Sequence, residues 1–367
     1  MRSSLIRAVA LVGLALVVAA AAANQAWLDR HFLPSFFVPR HWYVWIESAV
    51  RLLIAGAGLG LMLGRRRVAR LLTGAPALTL AVIAAALLAV VAGEFVLRIV
   101  NVRPTEWLLP DEEPRRQDDA ELGWVLAAAR TGHSRVGGRP IDYAIDAAGY
   151  RVARSDEPVD REQTTLVFAG ESVMFGEGLW WDETIPARAA AMLGIQSANL
   201  AVHGYSTDQM YLRLARELPR FRRPVAVVAI FMTELFGRNL DDDRPHLGPG
   251  LAPLPAQRQS RLMSMAGLLV PYRRDTTVER GVEVTREVLR AIVQLAREHG
   301  ATPLVVMPQF GVEGDAQRTL RERIVTPDVP SVFVPLDPDW RLPWDRHPNA
   351  RAATVIATAI AGRLHGE

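Results

Sequence analysis

The chain has 367 residues, half of them hydrophobic, no cysteine and a formal charge of +3. That is too apolar for a disordered protein, and it excludes disulfide scaffolds and all cysteine chemistry. Ten Arg against Asp29, Glu47 and Glu94 give residues 1–100 a charge of +7, so the remainder carries −4. A downstream domain of negative charge lacks the positive footprint of nucleic-acid binding, and none is expected.

Ala8 to Ala23 is an uninterrupted apolar run behind Arg2 and Arg7, readable as a signal-peptide core or as a short first span. His41 to Gly64 opens on Trp42, Tyr43 and Trp45, has Glu47 and Arg51 one helical turn apart, and continues apolar from Leu52. It reads as a second span anchored by an aromatic belt. Leu71 to Gly93 is uncharged and of the ~20-residue length that crosses a hydrocarbon core. Arg65, Arg66, Arg67 and Arg70 fall in the short loop between the second and third segments. Basic short loops stay in the cytoplasm, so everything past about residue 100 is expected outside a multi-pass cytoplasmic membrane. The expected division is therefore a membrane region over 1–100, with segments at about 8–23, 42–64 and 71–93, and one extracytoplasmic domain over 101–367.

Strands and helices alternate in that domain. Thr165–Ala169 is a short strand closed by Gly170, and Thr184–Leu193 is a helix with Thr184 as cap, Pro186 in its first turn and Gly194 past its end. Ile195–Leu200 is a second strand, and Ser206–Leu218 a helix opened by the capping box Ser206/Gln209. Val225–Met232 is a run of the kind buried on both faces of a parallel sheet. Glu279–His299 is an amphipathic helix, Leu304–Met307 and Val332–Val334 are strands, and Ala350–Leu364 is a closing helix. This order implies a doubly wound α/β sheet, whose ligands bind beyond the carboxyl ends of the strands. Chemistry is therefore expected at Gly170–Ser172, His203–Gly204, Thr233–Glu234 and Asp345–Asn349.

A serine at a strand-to-helix turn can attack while its own N–H faces the oxyanion. It needs a base and a group to orient that base, and Asp345 and His347 can supply both. Val167–Gly178, containing Gly170-Glu171-Ser172, resembles block I of the SGNH (GDSL) hydrolases; Asn199–Gln209 resembles block II and Asp345–Asn349 block V. Glu121-Leu122-Gly123-Trp124 and Gly149-Tyr150-Arg151 resemble the lead-in of membrane-attached members. The resemblance spans roughly residues 120–364 in the right order. It implies a three-layer α/β/α flavodoxin-like fold, with Ser172 as nucleophile, His347 as base, Asp345 as its orienting partner, and the N–H groups of Ser172 and Gly204 in the oxyanion hole.

Block III departs from the family: Thr233-Glu234 stands where Asn-Asp is expected, and block I has Glu171 in place of Asp. Either Thr233 supplies the third oxyanion donor, or Asn239 swings in from the following loop, or activity is impaired. The resemblance implies an esterase or acyl-transfer mechanism, and with the expected topology the reading is a serine esterase acting on an acyl ester of the cell envelope. The alternatives are an O-acyltransferase modifying an envelope carbohydrate and a catalytically impaired carbohydrate- or lipid-binding module. No cofactor and no metal is expected, because the histidines show no ligand spacing. His203 reads as a loop residue satisfied by backbone, Asp241–Asp243 as a solvated run, and Asp241–Pro271 as a surface insertion that could serve as a lid or acyl-chain contact.

Overall fold

The computed structural model describes residues 2–24, 33, 40–100, 112–136, 138–241, 244–254, 260–269, 273–343 and 345–366. The chain divides into two compact units, one comprising Met1–Leu33, Val38–Trp107 and Gln259–Arg274, the other Pro34–Phe37, Leu108–Arg258 and Asp275–Glu367.

The first unit holds helices α1 (Arg2–Ala22), α2 (Arg40–Gly74) and α3 (Pro76–Ile99), each long and apolar enough to cross a membrane. Two expected boundaries move. Arg65, Arg66, Arg67 and Arg70 lie on the last turns of α2 and not in a loop, because Arg and Leu sustain a helix until Gly74 and Pro76 interrupt it. The third apolar helix accordingly starts at Pro76 and not at Leu71. At 1.5 Å per residue α2 is ~50 Å long, more than the ~30 Å thickness of a hydrocarbon core. α1 and α2 pack closely at Gly13 and Gly58, where a Cβ on either would lie 2.6 Å from the other's carbonyl oxygen. Near the end of α3, Glu94 accepts from Arg98 Nε at 2.7 Å, Ser260 Oγ at 2.8 Å and the N–H groups of Arg261 and Leu262 at 3.0 Å. That carboxylate caps a short helix, Arg261–Leu269, so this part of the 241–271 insertion packs in the first unit.

The second unit is built on an eight-stranded sheet. Its parallel part runs Ser331–Leu336 (β12), Thr302–Phe310 (β11), Arg223–Ile230 (β8), Thr164–Ala169 (β6) and Gln196–Asn199 (β7). Arg151–Val152 (β5), Arg139–Ile145 (β4) and Arg130–Val136 (β3) then extend it in antiparallel fashion. Arg116–Asp119 (β1) and Gly123–Leu126 (β2) form a separate hairpin, and β9 (His246–Leu247) pairs with β10 (Pro253–Leu254).

Alternation along the strands places helices on both faces. Leu166, Phe168, Val228, Ile230, Leu304 and Val306 join one buried cluster with Ile185 and Ala189, and with Ala353, Ile356 and Ile360. The intervening Val167, Val227, Ala229 and Val305 are equally buried but lie outside that cluster, as do Val288, Leu289 and Ile292 of the helix Asp275–Glu298. Ile185–Leu193 packs against Ala350–His365, and Thr207–Glu217 against Asp275–Glu298. The result is a three-layer α/β/α unit with a mostly parallel sheet. The expected strand Val225–Met232 ends two residues early because Met232 caps the 3-10 turn Thr233–Leu240.

Candidate active site

β6 ends at Ala169, and Gly170 makes a turn that nothing larger could make: a Cβ there would lie 2.6 Å from Ile230 Cγ2 and Met174 Cβ. The turn starts the single-turn helix Ser172–Phe175, with Ser172 at its first position. Ser172 is 4% exposed, and its hydroxyl donates to Glu171 Oε2 at 2.7 Å. The same carboxylate oxygen caps the helix through Val173 N–H at 3.0 Å and lies 3.6 Å from the buried guanidinium of Arg238. Glutamate in place of the shorter aspartate thus reaches back over the serine.

His347 lies on a closed loop. Asn349 N–H donates to Trp340 O at 3.0 Å and Leu342 N–H to His347 O at 2.8 Å, and Asn349 caps the helix Ala350–His365 through Arg351 and Ala352 N–H. Within the loop, His347 Nδ1 and Asp345 Oδ1 are 2.5 Å apart, and Asp345 Oδ1 also accepts the His347 N–H at 2.8 Å. Burial resists a charge on His347. The Asp345 hydrogen bond and the negative charges of Asp345, Glu177 and Glu171 outweigh that resistance and raise its pKa above the ordinary histidine value. Burial likewise opposes ionisation of Asp345, but the His347 hydrogen bond and charge, its N–H and Arg341 hold the carboxyl below its usual range. Asp345 is therefore the acceptor, and Nδ1–H the donor.

Glu177 and His203 form a second buried pair that the sequence reading missed. His203 Nδ1 lies 3.4 Å from Glu177 Oε2, and Tyr143 Oη donates to Glu177 Oε1 at 3.3 Å. His203 Nε2 has no hydrogen-bond partner among the described residues. The ring is thus not satisfied by backbone as expected; only its carbonyl is, by Trp124 Nε1 at 3.1 Å. Burial pushes the His203 pKa down, while Glu177 pulls it partly back. Beneath this pair the buried Arg151 guanidinium donates to the carbonyls of Phe175, Gly176 and Leu179 at 2.5–2.8 Å, pinning the chain that follows Ser172.

A base must be neutral to accept a proton, so if His347 is the base its raised pKa predicts that kcat/KM rises with pH along a limb centred above the free-histidine value. Glu177→Gln removes one of the charges that raises it while keeping the side chain's size. The limb should move to lower pH in a measured pH–rate profile; an unmoved midpoint contradicts the electrostatic role of Glu177.

The N–H of Ser172, the N–H of Gly204 and the hydroxyl of the buried Thr233 have no hydrogen-bond acceptor among the described residues. Gly204 sits at φ +81°, a conformation that side chains rarely adopt, with its carbonyl held by Arg244 Nε at 3.0 Å. Asn239, the other donor expected from block III, is engaged elsewhere. Its Oδ1 accepts Thr207 N–H at 2.9 Å, and its Nδ2 donates to the hydroxyls of Thr207 at 3.0 Å and Thr285 at 2.9 Å. It joins two helices and has no amide proton left for an oxyanion. Glu234 lies 3.4 Å from Arg341, whose guanidinium packs over Phe310 and donates to the Arg346 carbonyl. Glu234 thus ties down the loop bearing Asp345 and His347. Burial raises the Glu234 pKa against the opposing charges of Arg341 and Arg346. Asp241 pairs with Arg244, whereas Asp242 and Asp243 lie outside the described residues.

Neither a family model nor a curated protein sequence matches the chain. Among solved structures it is similar to a member of the lipolytic protein G-D-S-L family from Veillonella parvula, with 11% identity over 56% of this chain and 100% of that one at a TM-score of 0.34. It is also similar to an acetyl xylan esterase from the rumen bacterium Butyrivibrio proteoclasticus, with 13% identity over 57% of this chain and 65% of that one at 0.33. A family two carbohydrate esterase from Cellvibrio japonicus is similar with 13% identity over 57% and 62% at 0.33.

Proposed function

We propose that the chain is a membrane-anchored serine esterase of the SGNH type, acting on an acyl ester of the cell envelope from the outer side of the cytoplasmic membrane. The observation that carries this reading is the Asp345–His347 pair at 2.5 Å, in the same unit as a strand-to-helix serine and the N–H and hydroxyl donors that have no acceptor among the described residues. In this mechanism Ser172 turns from Glu171 toward His347, gives its proton to Nε2 and attacks the acyl carbonyl. The N–H groups of Ser172 and Gly204 and the Thr233 hydroxyl hold the oxyanion as the C–O double bond opens. His347 then protonates the leaving alcohol, and water, activated by the same base, releases the acyl group from Ser172.

The orientation rests on Arg65, Arg66, Arg67 and Arg70, four cations at one end of the second apolar helix that keep that end cytoplasmic. α2 then runs inward and α3 outward, which carries the second unit to the extracytoplasmic side.

The direct test is turnover of a chromogenic acetyl ester by the purified full chain, with the fate of the acyl group followed. Acyl release to water supports the esterase. Transfer to an added sugar in preference to water would move the assignment to an O-acyltransferase, and a well-folded chain without turnover would move it to a binding module.

Thr233 has its own test. Removing one oxyanion donor costs on the order of a hundredfold in kcat. Thr233→Val should therefore lower kcat by about that factor with KM little changed, whereas Thr233→Ser, which keeps the hydroxyl, should stay close to wild type. An unimpaired valine variant would remove Thr233 from the oxyanion hole.

A further inference from the structure

Seven residues toward the C-terminal end of α1 from Gly13 is Ala20, and seven toward the N-terminal end of α2 from Gly58 is Arg51. The two helices keep their antiparallel register over that distance, because Arg51 Nε donates to Ala20 O at 2.9 Å. Ala20 is among the last four residues of α1, whose carbonyls have no partner within the helix. The Arg51 guanidinium therefore meets the negative end of the α1 dipole. Glu47, the partner expected one turn away, makes no ion pair with Arg51 among the described residues.

Nε accounts for one donor of five. The two Nη nitrogens have no partner among the described residues, and neither does the hydroxyl of Ser48, one turn away on the same face. Both side chains open into a hollow between the helices, whose other walls are Val17, Ala20, Leu52 and Ala55. A guanidinium exposed to hydrocarbon is costly, so its remaining donors require an acceptor. Arg51 stands 14 residues from Arg65, ~21 Å along the helix, in the outer half of a ~30 Å core. Its free nitrogens can reach up to the headgroup level, and the apolar walls suit acyl chain below it.

We propose that this hollow binds a membrane lipid with an anionic, phosphate-bearing headgroup. The Arg51 Nη groups and the Ser48 hydroxyl donate to phosphate oxygens, and an acyl chain lies against Val17, Leu52 and Ala55. A guanidinium matches phosphate by charge and by its paired donors, which a neutral hydroxyl-lined hollow would not. The proposal rests on reading α1 and α2 as membrane spans, and it adds a lipid site remote in sequence from the serine centre.

The test uses the full chain extracted in mild detergent, incubated with phosphatidylglycerol or phosphatidylcholine, with bound lipid counted by native mass spectrometry. The wild type should retain one phosphatidylglycerol about tenfold more strongly than phosphatidylcholine, the scale expected of one well-placed cation. Arg51→Gln should abolish the preference, and Arg66→Gln, at the opposite end of α2, should preserve it. Ala55→Trp fills the hollow while leaving the Arg51 to Ala20 contact in place, and should lose the lipid with the charge intact. Equal retention of the two lipids by the wild type, or an undiminished preference in both Arg51→Gln and Ala55→Trp, overturns the site. Recovery of the chain in the aqueous fraction without detergent would overturn the spans themselves, a separate outcome.

Discussion

Ser172→Ala is expected to lower ester turnover by about 10³-fold or more while leaving the fold intact. The hydroxyl makes one hydrogen bond, to Glu171, and the carboxylate that loses it keeps Val173 N–H and the nearby Arg238. One side-chain hydrogen bond is worth ~1 kcal/mol, too little to unfold a sheet core of this size. The loss should therefore appear in kcat and not in the melting temperature, when turnover and thermal unfolding are measured on the same preparation. Turnover within tenfold of wild type would show that another group carries the attack.

Asp345→Asn is the second large effect, an expected loss of roughly 10⁴ in kcat. Asp345 Oδ1 accepts both the ring Nδ1–H and the main-chain N–H of His347. An asparagine side chain can turn its NH2 toward Nδ1, which forces the proton onto Nε2 and leaves the ring unable to take one from serine. The same change removes a charge that raises the His347 pKa, so what activity remains should show its acid limb at lower pH. Steady-state kinetics across pH measure both. A variant that keeps a tenth of wild-type kcat would mean that His347 is oriented by something other than Asp345.

Much of the central sheet could be read from the sequence because local signals coincided with the tertiary answer. Thr184, Ser206 and Asn349 each cap the helix they precede, with hydrogen bonds to the first-turn N–H groups. The run ending in Ile230 is buried on both faces, as its unbroken apolar character implied. The antiparallel extension was not legible. Arg130–Val136 reads RTGHSRV, polar at nearly every position, and becomes a strand by pairing with Arg139–Ile145 and not by its own pattern. Asp315–Ile324 is a helix too polar to display a clear apolar face.

At the site, Ser172, Asp345 and His347 were visible because they stand at strand ends or on a short Pro-bounded loop. The pairing of Glu177 with His203 and the hold of Arg151 on the chain after Ser172 were not, since these partners lie 24 or more residues apart along the chain. The Thr233-Glu234 departure needed three-dimensional geometry. Glu234 meets Arg341 on the loop that bears the base, and Asn239 turns away to Thr207 and Thr285.

The central claim is that Ser172 is an activated nucleophile served by His347. The most direct measurement is covalent labelling of the purified full chain by a fluorophosphonate probe, which requires an activated serine and no knowledge of the substrate. The account predicts one labelled site, at Ser172, lost in Ser172→Ala and reduced to background in His347→Ala. Absence of labelling in the folded wild type, or labelling that survives Ser172→Ala, would contradict it.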